Sequence, residues 1–188
     1  VLWGPGRQHG WELELAVVIG RRADAVSPAD ATRHVAGYTI ANDISARDVI
    51  FRPNFRMTDF IMTKSRPTFF PIGPYVLPRE FVPDPRDLRL SLTVDGEVMQ
   101  DESADDIIYG VPDLVSYASN IAQLLPGDIL LTGSPAGNAG HYGNRWLQPG
   151  DVMVGAITRL GQQRNVCVAP PSGGGWRSDD RPGSGART

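Results

Sequence analysis

The chain reads as a strand-rich mixed α/β fold with few short helices, and three observations lead there. Gly (21) and Pro (16) are abundant among 188 residues, which favours short strands and tight turns over long helices. Leu88 to Val94 alternates apolar and polar residues, meets Asp95-Gly96, and continues from Glu97 to Gln100, the pattern of a hairpin closed by a type I′ turn. One longer stretch, Pro112 to Leu125, carries a helical period, with Leu114, Tyr117, Ala118, Ile121, Leu124 and Leu125 on its apolar face.

The other elements follow in order. Trp11 to Gly20 predicts a strand, and the run Leu15 to Ile19 is apolar on both faces, so both sides should be covered. Ser27-Pro28-Ala29-Asp30 predicts a helix start, with Ser27 as N-cap and Pro28 in the first turn; Gly37 is expected to end that helix. Tyr38 to Asn42 predicts a strand that runs into Asp43-Ile44-Ser45-Ala46-Arg47-Asp48, read as a strand-to-helix turn. Pro126-Gly127-Asp128 turns the chain into the strand Ile129 to Leu131, and Pro149-Gly150-Asp151 does the same for Val152 to Val154. This is reused turn chemistry and not a repeat architecture. The expected organisation is an N-terminal stub at 1–10, one domain over 11–169, and a disordered tail at 170–188, where Trp176 is the one large apolar residue among Gly, Ser, Pro and charge.

Composition narrows the function classes. A net charge of −3 offers no basic field to nucleic acid. The longest apolar stretch, Leu15 to Ile19, is too short to span a membrane, so no membrane partner is expected. The single cysteine, Cys167, makes no internal disulfide and reads as buried packing, which suits a reducing compartment. Val1 to Gly10 shows no basic segment followed by an apolar run, so no signal peptide is expected and the location is read as cytoplasmic.

The candidate chemistry rests on charged residues beside apolar segments. Glu12 and Glu14 point to one face of a strand, where two carboxylates raise each other's pKa unless something positive lies between them. An exposed strand face is the plain alternative, but the apolar run that follows leads straight into a core. A divalent cation resolves the conflict, and all-oxygen ligands point to Mg²⁺, Mn²⁺ or Ca²⁺ rather than zinc. If residues 43 to 48 are helical, Asp43 and Arg47 share a face; alone they would be a local ion pair worth about 0.3–0.5 kcal/mol. Lys64 is either a surface lysine or an ammonium that offsets the negative charge of an enolate. Of three histidines, His34 reads as a helix-end residue and His9 as exposed, while His141, in a Gly-rich loop, could reach a pocket.

These pieces, taken together and in this order, resemble the fumarylacetoacetate hydrolase superfamily in its C-terminal catalytic domain. The resemblance is carried by Glu12-Leu13-Glu14 with its apolar run, Gly37-Tyr38, Asn42 to Asp48, Lys64-Ser65, Pro71-Ile72-Gly73-Pro74, Asp95-Gly96-Glu97 with Gln100, Leu125 to Asp128, Thr132-Gly133-Ser134-Pro135-Ala136-Gly137, Pro149 to Asp151 and Leu160-Gly161. It covers roughly residues 11 to 168 and implies a rolled β-sheet and a homodimer. By that likeness, Glu12, Glu14 and Asp43 would hold one Mg²⁺ or Mn²⁺. Arg47 and Lys64 would face a small 2-oxo or β-diketo acid, and Thr132 with the backbone around Gly133 would bind its carboxylate. The implied reactions are C–C cleavage or decarboxylation through an enolate held by the metal and Lys64. The alternatives are isomerisation or hydration of an unsaturated 2-oxo diacid, or a homologue that binds without catalysis. Departures are present. Ile50 stands where the family often has Gln, which suggests a less polar substrate end, and Ser134 replaces the commoner Thr. The stretch Gly137 to Gly143 is longer than usual. The family's His–Glu pair on a mobile lid has no match in Val1 to Gly10, which raises the alternatives of a fragment or of another residue in that role.

Overall fold

The computed structural model describes residues 8–51 and 57–169, so the expected tail at 170–188 lies outside the described residues. In chain order the elements are β1 (His9–Gly10), β2 (Leu13–Ile19), α1 (Pro28–Ala31), β3 (Val35–Asn42), β4 (Ser45–Ala46), α2 (Phe60–Lys64), β5 (Ile72–Pro78), β6 (Arg89–Val94), β7 (Glu97–Ser103), α3 (Val111–Ile121), β8 (Ile129–Leu131), β9 (Val152–Ile157) and β10 (Gly161–Val166). The strand-rich mixed fold is therefore observed. Among the described residues no helix is long and apolar enough to cross a membrane.

Two antiparallel four-stranded sheets, ordered β5-β3-β2-β8 and β10-β9-β6-β7, carry the core, and β1 pairs with β4 beside them. Leu13, Leu15, Val17, Ile19 and Ile40 of the first sheet join Leu90, Leu92, Val94, Met153 and Ile157 of the second in one apolar cluster. Each such side chain withdrawn from water contributes about 1.5–3 kcal/mol. Odd positions of β2 enter this core, so the even positions, Glu12 just before the strand and Glu14 within it, face the other way. The second face is covered too: Glu14 and Ala16 are as buried as their neighbours.

The turns match their chemistry. Asp95 and Gly96 have φ of 52° and 84°, the two positive values that a type I′ hairpin requires. Gly127 and Gly150, at φ 96° and 102°, occupy the corner that only glycine adopts without strain. In both turns the aspartate closes the loop on itself. Asp128 Oδ2 accepts from the Leu125 N–H at 2.7 Å, and Asp151 Oδ2 accepts from the Gln148 N–H at 2.8 Å.

Three local expectations are corrected. α1 spans four residues and passes through a 3-10 turn at Thr32–His34 directly into β3, so Gly37 does not end a helix but lies within a strand. It is glycine because a Cβ there would run into the Leu77 carbonyl of the neighbouring β5. The segment 43–48 is not helical. β4 and a 3-10 turn at Arg47–Val49 occupy it, because Ser45 and Ala46 pair with Gly10 and His9. Finally, α3 ends at Ile121 and buries Val111, Val115, Ser116 and Ser119, leaving Tyr117 (70%) and Ile121 (69%) exposed. Its docking face joins two valines to two serines. The Ser116 hydroxyl donates to the Val26 carbonyl at 2.8 Å, and the Ser119 hydroxyl accepts from the Val26 N–H at 3.1 Å.

Candidate metal and oxo-acid site

Strand parity sets Glu12 and Glu14 on one face of β2, and the β2–β3 ladder, with Leu13 opposite Asn42, brings the end of β3 alongside. Asp43 follows at once. Its N–H donates to the Glu12 carbonyl at 2.8 Å, while the Asn42 side-chain oxygen accepts from the Glu12 N–H at 2.9 Å. These bonds fix the two backbone segments that carry the carboxylates. Oxygens of Glu12, Glu14 and Asp43 all lie within 4.8 Å of one another, and the three residues are at most 9% exposed.

Two cations lean on this cluster. Arg47 is held by the β1–β4 pairing and by its N–H, which donates to the Gln8 carbonyl at 2.8 Å. Its guanidinium pairs with Glu12, not with Asp43 four residues earlier, because the intervening backbone is extended and not helical. Lys64 closes α2, a helix capped by Asp59, whose side chain accepts from the Met62 N–H at 2.9 Å. The Lys64 ammonium donates to Glu12 at 2.8 Å and also pairs with Asp43. Both cations stay partly open to solvent, with side-chain exposures of 35% for Arg47 and 24% for Lys64.

Glu14 stands apart from that pairing. Its carboxylate accepts from the Gly133 N–H at 2.7 Å. Burial pushes its pKa up to about 7; the Gly133 bond and the Lys64 charge oppose the rise, and the Asp43 charge adds to it. Three carboxylates against two cations leave one negative charge when all are ionised, in a setting that makes ionised Glu14 costly. A divalent cation would turn that charge to one positive, a match for a carboxylate. The donor set, oxygen only, fits Mg²⁺ or Mn²⁺.

The turn from Thr132 to Gly137 runs along this site. The Thr132 hydroxyl and N–H both donate to the Leu15 carbonyl, at 3.0 and 3.2 Å, and the Gly133 N–H is engaged with Glu14. His141, farther along the loop, is exposed with its ring edge-to-face against Tyr142, and it is not part of the carboxylate cluster. His9, expected to be exposed, is buried, because β1 pairs inward and the ring packs edge-to-face on Phe69. Burial lowers its pKa to about 4, with the Asp48 charge opposing. His34 ends its 3-10 turn as expected, and Cys167 is buried, its thiol pushed up to about 11 by burial. A separate cavity of about 540 Å³, lined by Leu15, Leu90, Ile107, Val111 and Leu114, borders the same turn but includes none of the five charged residues.

Sequence reasoning passed over Asn42 and Gln100 as site-forming groups. Both are polar side chains 1% exposed; for Asn42 the available signal was an amide following the apolar strand residues Ile40 and Ala41.

Fold and cluster together define a strand-rich α/β domain with a carboxylate triad able to hold a divalent cation. The chain belongs to the fumarylacetoacetate hydrolase family: the model for the Fumarylacetoacetate (FAA) hydrolase C-terminal domain matches residues 1–168. It is 40% identical over 165 residues to the 4-hydroxyphenylacetate degradation bifunctional isomerase/decarboxylase of Salmonella dublin, covering 86% of this chain and 36% of that protein. It is 39% identical over 170 residues to the human mitochondrial oxaloacetate tautomerase FAHD2B, covering 89% of this chain and 53% of that one. The chain thus spans between about a third and about half of these relatives. Among solved structures, fumarylpyruvate hydrolase from Pseudomonas aeruginosa, in complex with Mn²⁺ and pyruvate, superposes with a TM-score of 0.81 at 31% identity, covering 90% of this chain and 70% of that one. The relatives are named as hydrolases, isomerases, decarboxylases and tautomerases.

Proposed function

We propose that this chain is a divalent-metal-dependent enzyme that cleaves or decarboxylates a small 2-oxo or β-diketo acid through an enolate. The observation that carries the reading is the convergence of Glu12, Glu14 and Asp43 beneath Arg47 and Lys64. Glu12, Glu14 and Asp43 would hold Mg²⁺ or Mn²⁺, which when bound polarises the 2-oxo group of the substrate. Lys64 then supplies an ammonium where negative charge grows on the enolate oxygen, a stabilisation of the kind worth 10²–10³ in rate, as an order-of-magnitude figure. Arg47 pairs with the substrate carboxylate as a fork of fixed geometry. Thr132 and the backbone at Gly133 border the other end of the substrate, with His141 on the outer loop. A homodimer in the cytoplasm belongs to the same reading.

A second reading, isomerisation or tautomerisation of an unsaturated oxo acid, draws support from the isomerase/decarboxylase and tautomerase among the relatives. It uses the same enolate and differs in what happens at C3. Product mass separates the two: two smaller molecules mean cleavage, while an unchanged mass means isomerisation.

The test is thermal unfolding with Mn²⁺ or Mg²⁺, with and without oxalate, a planar mimic of an enolate. A ligand at 100 times its Kd stabilises by about 2.7 kcal/mol. Oxalate is expected to raise Tm only when metal is present. A transition moved by neither metal nor oxalate would overturn the reading.

A further inference from the structure

We infer that Gln100 is a positioning residue that holds the anion-facing turn in register with the carboxylates; this rests on the proposed metal and oxo-acid site. Gln100 lies on β7, in the sheet opposite the one that carries Glu12 and Glu14. It is 1% exposed, so its amide must find its partners inside the protein. It finds three. Its oxygen accepts from the Leu13 N–H at 3.1 Å, and its nitrogen donates to the Ser134 hydroxyl at 2.9 Å and to the Pro135 carbonyl at 3.0 Å.

The location gives these bonds their meaning. β8 pairs with β2 only over Ala16 to Val18, and its last link to β2 is the Thr132 N–H donating to the Leu15 carbonyl. Two residues nearer the site, on the same edge of β2, the Leu13 N–H meets no strand among the described residues and donates to Gln100 instead. Leu13 sits between Glu12 and Glu14. One amide therefore takes over where β8 stops, joining the backbone between two candidate ligands to the turn that carries Thr132 and Gly133. That turn reaches Glu14 through the Gly133 N–H, and among the described residues Glu14 forms no ion pair with Lys64 or Arg47. Trp11 adds a tether farther along, its ring N–H donating to the Gly137 carbonyl at 2.9 Å.

With the amide gone, the turn is still tied to β2 at Leu15 through Thr132, but its link at Leu13, between the two glutamates, is lost, and the Gly133 N–H that orients Glu14 is held less firmly. Groups that orient ligands in this way change metal affinity by about 10–100-fold when removed. The test uses the whole 188-residue chain, with Mn²⁺ alone as the first probe and oxalate in saturating Mn²⁺ as the second, alongside Tm. Gln100→Met keeps the length of the side chain without its amide; it is expected to weaken Mn²⁺ binding about tenfold and to shrink the Mn²⁺-dependent oxalate shift. Ser134→Ala removes one of the three bonds and should weaken Mn²⁺ binding by a smaller factor. A Gln100→Met protein with lower Tm but wild-type Mn²⁺ and oxalate affinities would make Gln100 an ordinary core amide and overturn the inference. Should that variant not fold, Ser134→Ala decides, and unchanged affinity there overturns it equally. Failure of the unsubstituted chain to bind Mn²⁺ would instead overturn the site itself, and the role of Gln100 with it.

Discussion

Glu12 and Glu14 lie on one face of one strand, yet the protein stabilises them in different ways. Glu12 sits under two cations, Arg47 and Lys64, and Lys64 also reaches Asp43. Glu14 accepts a backbone N–H from Gly133, and burial has raised its pKa to about 7. One half of the site is already balanced by charge, with long side chains that can move aside for a ligand. The other half is buried and rigidly held, and its charge is costly until a cation arrives. The arrangement teaches that affinity for metal should depend on the whole triad, while charge on the substrate should be felt mainly at the Glu12 side.

The sharpest way to break this contrast is to remove Asp43, which belongs to both halves. Asp43→Ala is expected to abolish Mn²⁺ binding, measured by titration, while the fold survives, because the Asp43 N–H bond to Glu12 is a backbone bond and remains. An unchanged Mn²⁺ affinity would sink the triad. Lys64→Met should act differently. It removes a cation that occupies Glu12 and Asp43, so Mn²⁺ affinity should hold or tighten. Turnover of a 2-oxo acid should nonetheless fall about 10²–10³-fold. A Lys64→Met enzyme with full turnover and altered metal affinity alone would show that the ammonium only balances charge.

Much of this site was legible in the sequence, and the misses have physical causes. The parity of a strand places Glu12 and Glu14 together whatever the rest of the fold does, and the hairpin through Asp95-Gly96 declares itself by alternation and turn chemistry. The partner of Arg47 was not legible, because it depends on β1, a two-residue strand too short to carry a period. The docking face of α3 misled for a different reason. Its large apolar residues, Tyr117 and Ile121, face outward, while Ser116 and Ser119 dock through hydroxyl bonds to the segment at Val26, and hydrophobic patterning is blind to burial of that kind. Gln100 was visible as part of a motif, but its role needs two sheets and a turn to meet, which no local pattern encodes.

The smallest predicted effect sharpens the contrast through pH, in metal-free protein kept in EDTA. Burial holds the Glu14 pKa at about 7 against an ordinary 4.5, so the folded state binds that proton more tightly than the unfolded one. Its contribution is fully present below pH 4.5 and is lost as pH rises through 7. Buried His9 has the opposite sign: its pKa is lowered from 6.5 to about 4, so its contribution is full above pH 6.5 and is lost as pH falls toward 4. Between pH 5 and 7 the two slopes nearly offset, and the unsubstituted protein should show an almost flat stability by urea denaturation. Glu14→Gln removes one slope and leaves the other. That variant should be less stable at pH 5 than at pH 7 by about 2 kcal/mol. The same loss of stability from pH 7 to pH 5 in both proteins would mean that Glu14 carries no raised pKa, and that the site has no costly half for a cation to relieve.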